Sequence, residues 1–166
     1  KLREDSKAKG RWETNHGGEY FAAGVGGSIT GRGADLLIID DPHTEQDSMS
    51  DSAMDRAFDW YSSGPRQRLQ PGGSIVVVMT RWATDDLTGR LIKSQSEPKS
   101  DKWRTISFPA ILESGNPVWP EYWKLEELES VKASVSTKNW NAQYMQDPTS
   151  EEGAIIKRDW WKIGSL

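Results

Sequence analysis

The chain contains no cysteine, which excludes disulfide scaffolds, thiolate metal knuckles and thiol nucleophiles. It has only two histidines, His16 and His43, too far apart in sequence for a His-rich metal motif. No apolar run approaches the roughly 20 residues of a membrane-spanning helix, and no signal-peptide pattern opens the sequence. Charge of one sign is also lacking: 21 Lys+Arg stand against 25 Asp+Glu, a net charge of -4. That argues against a surface that is basic throughout, though a local basic patch remains compatible with it. Mean hydropathy is low at -0.73. Nine tryptophans offset this, because each can bury a large area. A globular intracellular piece of one domain's length is the expectation, as part of something larger.

Two stretches carry continuous apolar runs, Leu36-Leu37-Ile38-Ile39 and Ile75-Val76-Val77-Val78-Met79. Neither alternates polar with apolar, so both are expected to be strands of a parallel sheet buried on both faces. Between them Ala53, Met54, Ala57, Trp60 and Tyr61 fall at helical spacing, predicting a helix over 51–69 with Ser50 or Asp51 as its N-cap and an interruption at Gly64-Pro65. Pro71-Gly72-Gly73 is expected to turn the chain into the second strand. Strand, helix, strand makes a βαβ unit with a right-handed crossover. A second helix is predicted over 84–95, capped by Thr84, with Leu87, Leu91 and Ile92 inward. Residues 103–108 read as a third strand. Leu125, Leu128, Val131 and Val135 mark another helix, and 139–145 a short one.

The flanks read differently. Residues 1–11 hold five basic and two acidic residues with little to pack, and predict a loop or a frayed helix end. Asn15-His16-Gly17-Gly18 lies between β-compatible runs and predicts a hairpin. Residues 148–153 read as a linker. The apolar set Ile155, Ile156, Trp160, Trp161 and Ile163 would suit the first element of a following domain. His16 and His43 are expected at the surface or in turns, and Trp60, Trp103, Trp119, Trp123 and Trp140 in the core.

In parallel α/β sheets ligands bind beyond the carboxyl ends of the strands. One apolar strand ends at Asp40-Asp41 and the other at Thr80-Arg81, so neighbouring strands would gather these side chains on one rim. An apolar strand ending in two carboxylates has the form of a Walker B segment. There the first carboxylate holds Mg²⁺, usually through water, and the second orients the attacking water. The same residues would also make a plain acidic turn closing a strand. A polar residue ending the adjacent strand, as Thr80 does, senses the γ-phosphate in ATPases of this layout; alone it could be a simple cap. Arg32, between Gly31 and Gly33, could reach a phosphate charge or merely brace a turn.

These residues resemble a known family. Gly31-Arg32-Gly33-Ala34-Asp35, the Leu36–Ile39 run and Asp40-Asp41-Pro42-His43 are similar to the Walker B region of tailed-phage terminase large subunits. Trp60, Arg68-Leu69, Pro71-Gly72-Gly73, then Met79-Thr80-Arg81-Trp82 with Asp85-Asp86-Leu87, resemble the family's coupling motif. Gln143-Tyr144-Met145-Gln146-Asp147-Pro148, followed by Glu152-Gly153 and Ile155-Ile156-Lys157, looks like the junction between its ATPase and nuclease domains. The likeness covers nearly the whole chain, from about Trp12 to Trp161.

The resemblance implies an α/β P-loop NTPase of the ASCE type, with a mostly parallel central sheet flanked by helices. Residues 1–147 would be the C-terminal part of the ATPase domain, and 148–166 the linker and the start of a nuclease domain. It implies ATP and Mg²⁺ as cofactors, with Asp40 on the metal and nucleotide. Asp41 would be the catalytic carboxylate, Thr80 the coupling residue, and Arg32 an arginine acting within or between subunits. Many family members have Glu where Asp41 stands, and Glu45 is the fallback base. The implied activity is ATP-driven translocation of double-stranded DNA into a procapsid, with a downstream nuclease cutting the DNA. The implied partners are double-stranded DNA, the portal protein and procapsid, the small terminase subunit and other copies in a homo-oligomeric ring, with no membrane. The setting would be the host-cell cytoplasm during assembly and not the mature virion.

No G-x-x-x-x-G-K-[ST] phosphate loop occurs in the sequence. The Walker A half is therefore expected upstream, and this partial domain alone is expected to be inactive. Two other readings use the same residues. A metal nuclease would bind ions through Asp40, Asp41 and Asp85 or Asp86. A non-catalytic assembly module would dock a partner on a Trp-rich surface.

Overall fold

The computed structural model describes residues 1–27, 29 and 31–149, apart from the side chains of residues 3–7. The architecture is mixed α/β, with one antiparallel and one parallel sheet and four helices among the described residues. It divides into two compact units. One comprises Lys1–Leu37 with Asp59–Ile75, the other Ile38–Phe58 with the chain from Val76 onward.

The first unit opens with a three-stranded antiparallel meander: β1 (Leu2–Ala8), β2 (Arg11–Thr14) and β3 (Glu19–Phe21). The predicted hairpin at 15–18 is present as the β2–β3 connection. Thr14 N–H donates to the Gly18 carbonyl at 2.7 Å, and Gly17 takes the positive φ (81°) that the turn demands. Trp12 and Tyr20 face each other across the ladder and stack at 4.9 Å. The expectation of a loop or helix end over 1–11 is corrected, because β1 pairs with β2 from Leu2↔Thr14 to Ala8↔Arg11. β1 is the edge strand of this sheet, and backbone pairing with β2 holds it there.

The two apolar runs form β4 (Ala34–Asp40) and β5 (Leu69–Val78), paired parallel in a two-stranded sheet. The two strands run in step: Gly73 lies against the Asp35 carbonyl, and Asp41 N–H donates to the Val78 carbonyl at 2.9 Å. A Cβ on Gly73 would come within 2.9 Å of the Asp35 oxygen, so only glycine fits there without a shift. Pro71-Gly72-Gly73 thus lies inside β5 rather than turning the chain into it. Burial on both faces is also corrected. Ile39 is buried and Leu37, Ile75 and Val77 are half-buried, whereas Leu36, Ile38, Val76 and Val78 are exposed. Among the described residues no helix or strand covers that second face. The larger, mostly parallel sheet expected from the sequence is here a single parallel pair.

The predicted crossover helix is α1 (Asp51–Ser63); it stops at the expected Gly64-Pro65 interruption, and a 3-10 turn (Pro65–Arg68) follows. The Ser50 carbonyl accepts the first helical bonds, from Ala53 and Met54. Ala53, Met54, Ala57 and Tyr61 are buried along one stripe. The next helix, α2 (Leu87–Ser94), starts three residues later than predicted, with Asp86 rather than Thr84 as its cap. Its Leu87 and Leu91 join Leu128 of α3 (Leu125–Ser134) and Trp140 in the buried set of the second unit. Residues 139–145 are helical as expected: α4 (Thr137–Asn139) runs on into a π-turn over Trp140–Tyr144.

Residues 103–108 are not a strand. The segment pairs with no strand among the described residues, and Ile106 and Phe108 are exposed; β-compatible side chains need a partner edge to become a strand. The tryptophans divide too. Trp140 is buried, Trp60 and Trp103 are half-buried, and Trp119 and Trp123 lie at the surface rather than in the core. Ser28, Thr30 and residues 150–166, including most of the expected linker and the Ile155–Ile163 set, lie outside the described residues.

Candidate functional site

Asp40, Asp41, Thr80 and Arg81 all belong to the second unit, where the carboxyl ends of β4 and β5 lie side by side. Asp40 and Asp41 are both exposed. Asp41 takes φ 41°, a left-handed conformation that aspartate tolerates better than most side chains. From that position its Oδ1 accepts the Thr80 N–H at 3.3 Å. The sequence expectation that the acidic pair and Thr80 share one edge therefore holds in the described geometry. Glu45, the fallback carboxylate, is exposed at the head of a 3-10 turn (Gln46–Met49).

Behind this edge lies a polar network centred on Asp86, whose side chain is 0% exposed. Arg81 Nε reaches both its oxygens, at 3.1 and 2.9 Å. The same carboxylate accepts the N–H groups of Trp82, Ala83 and Gly89, the last as the cap of α2. Gly89 is required for this closure, since a Cβ there would fall 2.0 Å from the Thr84 carbonyl oxygen. Asp86 is thus consumed in fixing the loop after β5, which removes it from the candidate metal ligands. No group of three or more His, Asp or Glu residues lies close enough to hold a metal among the described residues.

His43 lies in the turn after β4, one of the two settings expected for it, but is buried there, 5% exposed. Its Nε2 accepts the Leu87 N–H at 2.9 Å, tying the turn after β4 to the start of α2. Nε2 as acceptor puts the ring proton on Nδ1, a buried atom with no hydrogen-bond partner among the described residues. Burial holds the imidazole pKa below its usual value, opposed by the nearby Asp86 and Asp47 carboxylates and reinforced by Arg90. Asp47 itself is held below the usual carboxylate range by the Thr44 N–H and hydroxyl.

Gln146 is a second residue whose part the sequence did not disclose. Its Oε1 accepts the Arg81 N–H at 3.2 Å, so the Gln143–Pro148 segment touches the loop that follows Thr80. Its φ of 58° and its own bond to the Gln143 carbonyl hold it in place. The signal available was only its membership of a motif.

Arg32 belongs to the first unit. Its guanidinium pairs with Glu19 and lies 4.4 Å from the centre of the Phe21 ring. It is therefore engaged with β3, and any other partner would have to draw it from there.

Taken by their chemistry, Asp40 and Asp41 can supply hard oxygen ligands and a proton acceptor. Magnesium takes one or two carboxylates and completes its shell with water and phosphate oxygens. An exposed strand-end Asp40 fits that limited role. The phosphate-cradling half of a nucleotide site has no counterpart in this sequence. Compared with models of known protein families and with curated proteins, the sequence matches none.

Proposed function

We propose that the chain is part of the ATPase of a viral DNA-packaging motor, the C-terminal part of a P-loop NTPase domain of the terminase type. One observation carries the reading: Asp40-Asp41 and Thr80 end adjacent parallel strands at the same edge, with the Thr80 N–H bonded to Asp41. The order of the sequence motifs around these residues supports it.

On this reading Asp40 would hold Mg²⁺, which when bound supplies charge neutralisation for the nucleotide phosphates. Asp41 keeps one carboxylate oxygen on the Thr80 N–H and offers the other to a water, which it orients and deprotonates. The Thr80 bond gives the coupling role a physical form. A displacement of the β5 end moves the carboxylate that activates the water, so hydrolysis and loop position depend on each other. The Arg81–Asp86 pair and the Arg81–Gln146 bond carry such a displacement to α2 and to the 143–148 segment. DNA, the portal and the ring of subunits are the partners that this reading entails.

The test uses the intact reading frame. A phosphate loop ending in Gly-Lys-Ser/Thr should lie upstream, and the intact protein should hydrolyse ATP with Mg²⁺ in a manner that Asp40→Ala abolishes. A reading frame without that loop, or unchanged turnover in Asp40→Ala, overturns the proposal.

A further inference from the structure

A different surface of the second unit carries an observation independent of the motor reading. After Ile111 the chain doubles back. Ile111 and Pro117 form an isolated antiparallel bridge, and Val118 N–H donates to the Ala110 carbonyl at 2.9 Å. The Trp119 carbonyl then accepts the N–H groups of Tyr122 and Trp123, at 3.1 and 2.9 Å, winding one turn that gathers three rings. Trp119 and Tyr122 stack at 4.8 Å and 23°. Trp123 meets Tyr122 edge-on at 5.6 Å. Lys124 closes the turn: its ammonium bonds the Pro120 carbonyl at 2.8 Å, and its N–H donates to Glu127 Oε2 at 2.8 Å at the start of α3.

These rings are held by backbone bonds yet left in water. Trp119 is 57% exposed, Tyr122 64% and Trp123 38%, with Val118 and Leu125 exposed beside them in sequence. A contiguous, pre-ordered apolar patch of this kind marks an interaction surface.

Its charge selects the partner. From Pro117 to Ser130 the sequence holds four glutamates and one lysine, a net charge of 1 − 4 = −3. Glu121, Glu126 and Glu129 are exposed, while the Lys124 ammonium is engaged with the Pro120 carbonyl. Aromatic faces are negative as well. A nucleic acid could stack on the rings but would bring its phosphates against these carboxylates. A guanidinium suits both features, since it stacks flat on a ring and donates paired N–H groups to carboxylates.

We propose that Trp119, Tyr122 and Trp123 form a docking platform for an arginine-bearing segment of a partner protein, with Glu121 and Glu126 as its acidic rim. The test titrates the 166-residue chain into a fluorescein-labelled peptide of alternating glycine and arginine at low salt, reading anisotropy. Saturable binding is expected, weaker for the lysine version and absent for the glutamate version. Trp119→Ala and Tyr122→Ala should each weaken it by roughly fivefold. Tyr20→Ala, at an exposed ring stacked on Trp12 in the first unit, should leave it unchanged. Circular dichroism checks that the variants fold. Glu126→Lys keeps every ring, and should weaken binding without touching the platform's packing. Three results overturn the proposal: arginine-peptide binding that is absent or insensitive to Trp119→Ala and Glu126→Lys, tighter binding of oligo-dT than of the peptide, or self-association of the chain that Tyr122→Ala abolishes.

Discussion

Two aspartates of the second unit bond neighbouring residues of the loop after β5, Asp41 to Thr80 and Asp86 to Arg81, and their settings are opposite. Asp86 is fully buried and accepts from one guanidinium and three backbone N–H groups. Asp41 is exposed and accepts from Thr80 alone among the described residues. A buried carboxylate whose lone pairs are filled has nothing left to offer a substrate, and removing it strands its donors. An exposed carboxylate held at one oxygen is oriented yet still has a free oxygen for chemistry. Burial and donor count separate the fully engaged carboxylate from the one with a free oxygen where residue type alone does not.

The comparison breaks most visibly at Asp86. Asp86→Ala leaves Arg81 with a half-buried, unpaired charge and uncaps α2, and should cost about 3–5 kcal/mol, read as the shift in urea unfolding of the chain. A loss below about 1 kcal/mol would mean that the network does not hold the loop. Asp41→Asn should do the reverse. The amide oxygen can still accept the Thr80 N–H, so unfolding should hardly change. On the proposed motor reading, ATP hydrolysis by the intact protein should fall by on the order of 10²-fold or more, because an amide is no base. If hydrolysis persists, Asp41 is not the catalytic carboxylate, and Glu45 is the next substitution to make.

His43 sharpens the same contrast from the buried side. His43→Ala deprives the buried Leu87 N–H of its acceptor, at a cost of about 1–3 kcal/mol. The wild-type imidazole adds a pH dependence. Its folded pKa lies below the unfolded 6.5, so the unfolded chain binds the proton more tightly. Its contribution is complete above 6.5 and is lost as pH falls from there toward the folded pKa. Urea midpoints should drop as pH falls below 6.5, and His43→Gln should flatten that drop. Asp47 does not confuse the window. Its pKa is depressed from 3.8, so its contribution fades only below that.

The sequence disclosed what periodicity and local chemistry control. The apolar runs of β4 and β5, the Ala53–Tyr61 stripe of α1 and the Asn15–Gly18 turn were all legible, as was the shared edge of Asp41 and Thr80. Features decided by distant partners were not. β1 has no apolar alternation, and exists because β2 offers it an edge. Thr84, Asp85 and Asp86 are each a plausible cap; only burial beside Arg81 selects Asp86. His43 meets Leu87 across 44 residues, which no local pattern announces. Tryptophan count could not say that Trp140 is core while Trp119 is surface.

The smallest expected effect concerns Arg32. Its pairing with Glu19, which also meets Arg11 Nε at 3.2 Å, is partly exposed. Such pairs are worth about 0–1 kcal/mol, so Glu19→Gln should barely move the unfolding curve. Its value lies in testing the proposed motor reading. If Arg32 must leave Glu19 to reach a phosphate, weakening the pair should leave ATP turnover unchanged or raise it, whereas Arg32→Ala should abolish turnover. Mixing then separates the directions of reach. Rings combining Arg32→Ala with Asp40→Ala subunits regain activity only if an intact Arg32 serves a neighbour's intact Asp40 site. Equal loss of turnover in Glu19→Gln and Arg32→Ala would mean that the pair itself matters. Arg32 would then be a brace on β3 rather than a finger.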